Sequence, residues 1–169
     1  EEYLQKALAL TIEILEHFWD RENGGLFLSS DEAEALLFRK KEIYDGDMPS
    51  GNSVSMLNLL RLGRISANPE LEEKASLIGM AFSEKVSQSP VAHTFLMCAL
   101  DFAKGPLNEV VISGDLQQDD TGDMLQSLRK EFLPNKVVVF RPSGTESPKI
   151  ASITGYTRHL SGTGNTAMA

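Results

Sequence analysis

"IYDGDMPSGNSVSMLNLL", residues 43–60, sets a tyrosine, two aspartates, a proline and two glycines directly against a dense apolar run. That run continues to Ile65, with Val54, Leu57, Leu60 and Ile65 on one stripe and Met56 and Leu59 widening it. A helix apolar around so much of its circumference is an inner one, covered on two sides. The residues before it supply its start. Gly46 and Gly51 allow backbone geometries closed to other residues, Pro49 stiffens the approach, and Ser50 or Asn52 can accept from the free N–H groups of the first turn. Capping does not account for Tyr44, Asp45 and Asp47. Carboxylates and a phenol at the positive end of a helix dipole suit a purely structural loop or a ligand-lining one, and spacing alone leaves both open.

Upstream, Leu4, Ala7, Leu8, Ile12, Leu15, Phe18 and Trp19 recur at i, i+3/i+4 and predict an amphipathic helix over residues 2–19 that must pack on something. Asn23-Gly24-Gly25 then supplies the positive-φ residues of a tight turn, and Leu26–Leu28 with Ala35–Arg39 read as a short antiparallel pair. Downstream, Asn68-Pro69 and Ser89-Pro90 repeat one signal, a capping side chain before a proline whose missing N–H costs nothing in a first turn. The first of these helices carries Leu71, Ala75, Ile78 and Phe82, with Glu70, Glu72 and Glu73 near its positive end. The second runs from about Val91 to Phe102 and stops at Gly105-Pro106. Helices on such short connections are antiparallel neighbours, that is, helical hairpins.

The pattern changes after Gly105. "NEVVIS", 108–113, and "KVVVF", 136–140, are valine-rich runs, and Met124, Leu125, Leu128 and Phe132 between them mark a helix capped near Thr121. This is a β-α-β unit with parallel strands. From Arg141 onward Gly, Ser, Thr and Pro dominate, which reads as loop with at most a short strand.

The 169 residues suffice for one ordinary domain, and 41% hydrophobic residues is a globular proportion. A formal charge of −8 disfavours nucleic acid as a partner, the densest basic run being Arg39-Lys40-Lys41. No apolar run approaches the roughly twenty residues a membrane helix needs. Cys98, the single cysteine, sits among apolar neighbours in "TFLMCALDFA" and reads as a buried, inert thiol, without a disulfide or a thiolate metal cluster. Starting at "EEYLQKALAL" and stopping at "GNTAMA", the chain reads as an excised fragment.

The run "YDGDMPSGNSVSMLNLLRL", preceded by "FWDRENGGLFLSS" and followed by "EVVISGD" and "LPNKVVVFRP", resembles the C-terminal part of the thioredoxin-domain-containing family that includes the spermatogenesis-associated proteins. The resemblance covers nearly the whole chain, with the Tyr-Asp-Gly…Pro-Ser-Gly-Asn-Ser stretch its most specific mark. Matching positions are Tyr44, Asp45, Gly46, Pro49, Ser50, Gly51, Asn52, Ser53 and Asn58, whereas Asp47 departs from a usually small residue. The family implies an N-terminal thioredoxin-like domain followed by an (α/α)6 toroid similar to N-acylglucosamine 2-epimerases and six-hairpin glycosidases, and hence carbohydrate-related activity. The thioredoxin-like part is absent here, so no redox activity is assigned. The fold expected is therefore mixed α/β and mainly helical: hairpins forming part of an (α/α)6 toroid over residues 1–105, with a β-α-β appendage and irregular tail over 106–169.

In toroids of this type the pocket is built from loops at one end of the ring, and sugar chemistry there needs groups that exchange protons. That implies Asp45 as the catalytic group, Tyr44, Ser50 and Asn52 as its hydrogen-bonding neighbours, and a sugar as the ligand. Trp19 and Asp20 would add an aromatic platform and a carboxylate, against a core tryptophan and a solvated aspartate as the simpler reading. No cofactor and no metal are expected, since His17, His93 and His159 lack partners at ligand spacing. Two hairpins cannot close a six-hairpin ring, so the fragment is expected to be inactive alone and to self-associate through faces meant for missing hairpins. A scaffold binding a protein partner, its polar loop serving only as a cap, is the alternative. "ISGD", 112–115, lacks the further glycines of a phosphate loop. "RPSGTESPKI", 141–150, resembles the phosphate-binding loop of phosphohexomutases, in which Arg141, Ser143, Gly144, Thr145 and Glu146 would hold a phosphosugar, though Ser147 interrupts the motif.

Overall fold

The structure, a computed structural model, describes residues 1–33, 38–143, 150–160 and 166–168. The protein is mainly helical and divides into two compact units, Glu1–Gly63 with Asn68–Gly105, and Arg64–Ala67 with Pro106–Ala169.

In the first unit, helix α1 spans Glu2–His17. Leu4, Ala7, Leu8, Thr11 and Leu15 are half-buried, but no residue of α1 is fully buried. Ile12, expected on the packed stripe, is exposed, as are Tyr3, Leu10 and Ile14. Helix α2, Gly51–Ser66, buries Met56, Leu57, Leu59, Leu60 and Leu62. At about 100° per residue these span an arc of about 220°, more than half the circumference, which is the inner helix predicted from the apolar run. Thr11, Ile14 and Leu15 of α1 face Ser55, Asn58 and Leu59 of α2 across a small cavity.

Asn68 caps the next helix, α3 (Pro69–Gln88), its Oδ1 accepting from Glu70 N at 3.0 Å with Pro69 in the first turn. Leu71, Ala75, Ile78, Phe82 and Val86 form its buried stripe. Small residues set its approach to α2: a Cβ on Gly63 would fall 2.7 Å from Glu72 Cγ, and one on Gly79 3.3 Å from Met56 Cε. Between the two helices Ala67 takes φ 52°, with Asn68 N–H donating to Gly63 O at 2.9 Å. This left-handed closure is the one glycine usually provides.

Helix α4, Thr94–Lys104, buries Leu96, Ala99 and Phe102 and ends before Gly105-Pro106 as predicted. Its start is corrected from Val91 to Thr94, because Ser89-Pro90 opens only a 3-10 turn, Pro90–Ala92, without a side-chain cap. Cys98 is exposed rather than buried, since the packed positions 96, 99 and 102 leave it on the outer face. The antiparallel pair is likewise shifted: Leu26 pairs with Trp19 and Phe27 with Lys41 as isolated bridges. Leu28 N–H donates to Lys40 O at 2.8 Å. Of the partner expected at Ala35–Arg39, residues 35–37 lie outside the described residues.

In the second unit, β1 (Asn108–Gly114), α5 (Asp119–Lys130) and β2 (Lys136–Pro142) form the predicted β-α-β unit, the strands parallel with Val110 opposite Val138 and Val111 opposite Val139. Val111, Ile112, Val137 and Val139 are buried. Thr121 is fully buried in the first turn of α5 rather than capping it, and Phe132 lies beyond the helix, exposed. The tail read as loop contains a four-residue helix, α6 (Ile150–Ile153), and a 3-10 turn, Gly155–His159. The hydroxyls of the buried Thr154 and Thr157 lie 3.0 Å apart there. A short strand, β3 (Thr166–Met168), adds antiparallel to β1, giving the order β2-β1-β3. Elements this short carry too little periodicity to be read in advance.

Candidate functional site

Asp45 is buried, 9% exposed, and its carboxylate joins two helix starts. Oδ1 accepts from Ser50 N at 2.8 Å, just ahead of α2. Oδ2 accepts from Phe95 N at 2.9 Å and Leu96 N at 3.0 Å, in the first turn of α4. An anion at the N-termini of two helices satisfies orphan donors and opposes both dipoles. The backbone of the same segment is tied as well: Asp45 N–H donates to Ala92 O at 2.9 Å. Nδ1 of the buried His93 meets Ile43 O at 2.9 Å. Because a carbonyl only accepts, that ring nitrogen carries the proton. These contacts explain why α4 starts at Thr94: its cap comes from fifty residues upstream, not from Ser89.

Asn52 is also buried and fully engaged. Its Oδ1 accepts from Leu26 N at 2.7 Å, while Nδ2 donates to Leu26 O at 2.9 Å and Glu42 O at 2.8 Å. The side-chain amide thus imitates a strand neighbour and pins the glycine-turn segment to the start of α2. Ser50 Oγ accepts from Ser53 N at 3.1 Å and lies 2.8 Å from Ser53 Oγ, the capping role foreseen for it. Tyr44 is 59% exposed, and its ring lies against Gly46, where a Cβ would come 2.8 Å from Cε1. Glu42 accepts from Ile43 N and Tyr44 N, each at 3.0 Å. The Lys40 hydrogen bond together with those two N–H groups holds its carboxyl down at about 2.

Asp20 organises the glycine turn. Oδ1 accepts from Glu22 N at 3.0 Å and Asn23 N at 3.1 Å, and Oδ2 meets Lys41 Nζ at 2.7 Å. Burial pushes its pKa up, but the Lys41 hydrogen bond and the two backbone N–H groups outweigh that and hold it at about 2. Gly24 and Gly25 have φ 69° and 80° as predicted. Each also packs closely, since a Cβ on Gly24 would lie 3.0 Å from Leu77 O and one on Gly25 3.0 Å from Phe82 Cε2. Trp19 is 8% exposed with Lys74 Nζ 4.5 Å above its ring, so it is a core residue without an open stacking face.

Of the six residues singled out from the sequence, Asp20, Asp45, Ser50 and Asn52 are engaged in buried or half-buried hydrogen bonds, Trp19 packs in the core and Tyr44 is exposed. Asp20 borders a cleft of 930 Å³, Asn52 borders a cavity of 230 Å³ beside Ile14, Phe18 and Leu26, and Tyr44, Asp45 and Ser50 line neither. His93 and Glu42, which also make such hydrogen bonds, had no local signal because their partners are set by the fold. In the second unit, the Arg141 guanidinium donates to the carbonyls of Leu160 and Arg158. Gly144, Thr145 and Glu146 lie outside the described residues. Among the described residues no group of three or more His, Cys, Asp or Glu side chains could hold a metal ion, and no helix is long and apolar enough to cross a membrane.

The chain is similar to spermatogenesis-associated protein 20. It is 39% identical to the human protein of that name over 123 residues, 72% of this chain and 16% of the relative, with the rat and mouse proteins at the same identity and coverage. An uncharacterized protein of Caenorhabditis elegans is 31% identical over 139 residues, 82% of this chain and 19% of its own length. No family model matches the chain. It spans about one sixth of the length of the curated relatives it matches.

Proposed function

We propose that this chain is a non-catalytic structural segment of a longer protein, its polar loop a staple that fixes two helical hairpins for assembly with the rest of that protein. The observation that carries this reading is Asp45, whose two carboxylate oxygens are both taken by backbone N–H groups of two helix starts. A proton-transferring carboxylate needs an oxygen directed at its substrate, whereas both oxygens of Asp45 accept from backbone N–H groups. Sugar chemistry through Asp45 would require breaking both caps.

The exposed apolar side chains Tyr3 and Leu10 of α1 support an assembly role. Spaced by seven residues, they fall on one stripe of the kind a further helix packs against. With about five sixths of the relatives' length outside the matched region, the hairpins of a helical ring are the covering partner this reading assigns, and self-association is what the stripe would cause in isolation.

The test is Asp45→Ala and Tyr44→Phe in the longer parent, read by melting temperature and by binding or turnover across a sugar panel. Asp45→Ala is expected to lower the melting temperature and leave any sugar response unchanged, with Tyr44→Phe neutral in both. Loss of a sugar response in Asp45→Asn at unaltered melting temperature would overturn the proposal.

A further inference from the structure

The cleft of 930 Å³ opens between the glycine turn, residues 38–41 and the C-terminal half of α3. It gathers the run Arg39-Lys40-Lys41 with Arg21 from the turn and Lys85 from α3, five of the sixteen basic residues of an otherwise acidic chain. Much of this charge is not cancelled on the spot. Asp20 on the wall is neutralised by Lys41 at 2.7 Å, and Lys40 pairs with Glu42 at 2.9 Å. Arg21, Arg39 and Lys85 then stand against Glu22 on the wall and Asp31 near Arg39, with no ion pair within 4 Å to any of the three among the described residues. A concave wall of one sign concentrates the opposite charge even on a protein whose net charge repels it.

Two features make the wall more than a scatter of surface cations. The Arg39 guanidinium lies 4.3 Å above the Phe27 ring, and its Nη2 donates to the carbonyls of His17 and Ser29. It is therefore held in one orientation before any ligand arrives, and a planar guanidinium so placed suits an oxyanion. Phe38, on the same wall, is 80% exposed. An exposed aromatic beside fixed cations matches a ligand with a flat apolar body and a charged end. The volume lies within the roughly 300–1,000 Å³ usual for small-molecule sites.

We propose that this cleft binds a small organic anion carrying an aromatic ring, its phosphate or carboxylate against Arg21, Arg39 and Lys85 and its ring on Phe38. The site is separate from the Asp45 staple and goes beyond the structural role assigned above, so either reading can fail without the other.

The experiment is a titration of the 169-residue chain at low ionic strength, followed through its assigned backbone amides. Phenyl phosphate and benzoate are the probes, and ribose 5-phosphate is the control with charge but no aromatic ring. Saturable shifts at Arg21, Lys41 and Lys85 are expected with at least one ringed anion, the stronger of the two naming the anionic group. Removing one exposed cation, as Arg21→Gln or Lys85→Gln, is expected to weaken binding roughly fivefold. Phe38→Ala is expected to erase the preference over ribose 5-phosphate. All three side chains are exposed, and unchanged amide positions elsewhere report that the variants fold. Absence of saturable shifts with both ringed anions, equal binding of ribose 5-phosphate, or binding unaffected by both cation variants would each overturn the proposal.

Discussion

Replacing Asp45 measures how much of the first unit depends on a single carboxylate. Three backbone N–H groups, those of Ser50, Phe95 and Leu96, donate to it, and the residue is 9% exposed. Loss of one capping side chain costs about 1 kcal/mol, and a buried N–H left without a partner costs about 1–3 kcal/mol. With two caps removed together and water reaching only part of the vacated space, Asp45→Ala is expected to cost about 4 kcal/mol. That is a large share of the roughly 5–15 kcal/mol by which a domain is stable. Asp45→Asn keeps one good acceptor for the Phe95 and Leu96 pair but turns an NH2 toward Ser50 N–H, so about 2 kcal/mol is expected. The assay is urea unfolding followed by circular dichroism at constant slope, with amide hydrogen exchange at Ser50, Phe95 and Leu96 as the local readout. If Asp45→Ala unfolds within about 0.5 kcal/mol of the parent chain, or those three amides keep their protection, the staple is not what holds the two helix starts.

Asn52→Asp keeps the shape but sets a carboxylate against the carbonyls of Leu26 and Glu42, and a loss of about 3 kcal/mol or more in urea unfolding is expected. Ala67→Gly should stabilise by about 1 kcal/mol, because φ 52° strains an alanine and not a glycine; a lowered melting temperature would contradict this. Asp20 and Glu42 are both held at about 2, below their ordinary values of 3.8 and 4.5. A depressed folded-state pKa stabilises above the unfolded value, so these contributions are present at neutral pH and are lost as pH falls from about 4.5 toward 2. Lys41→Met should therefore be less stable than the parent chain at neutral pH, with the gap narrowing across that acid window in urea midpoints; a gap independent of pH would refute the Asp20–Lys41 coupling.

Much of the helical pattern was legible because it is a one-dimensional property. The spacing of Leu71, Ala75, Ile78 and Phe82 and the Asn68-Pro69 start specify α3 without reference to any neighbour. The same holds for the apolar breadth of α2, the Asn23-Gly24-Gly25 turn and the valine runs that became β1 and β2. Where the reading departed from the structure, a partner distant in sequence had decided the matter. Ser89-Pro90 is a sound local start signal, yet α4 begins at Thr94 because Asp45 reaches its N–H groups there. Ile12 and Cys98 are apolar in character but fall on faces left exposed among the described residues.

For the candidate site the division is the same. The sequence by itself marked residues 44–53 as holding more polar groups than a helix start needs, and it marked Ser50 as a cap. Only the tertiary structure decided where the surplus goes: Asp45 onto two helix starts, Asn52 onto Leu26 and Glu42, Asp20 onto Lys41. It also brought Arg21 and Lys85 to the Arg39-Lys40-Lys41 run, making a basic cleft that the linear charge pattern does not show. The physical reason is that backbone periodicity and capping act within about one helical turn. A side chain's hydrogen-bond partner and the field around it are instead set by whatever the fold brings within a few ångström.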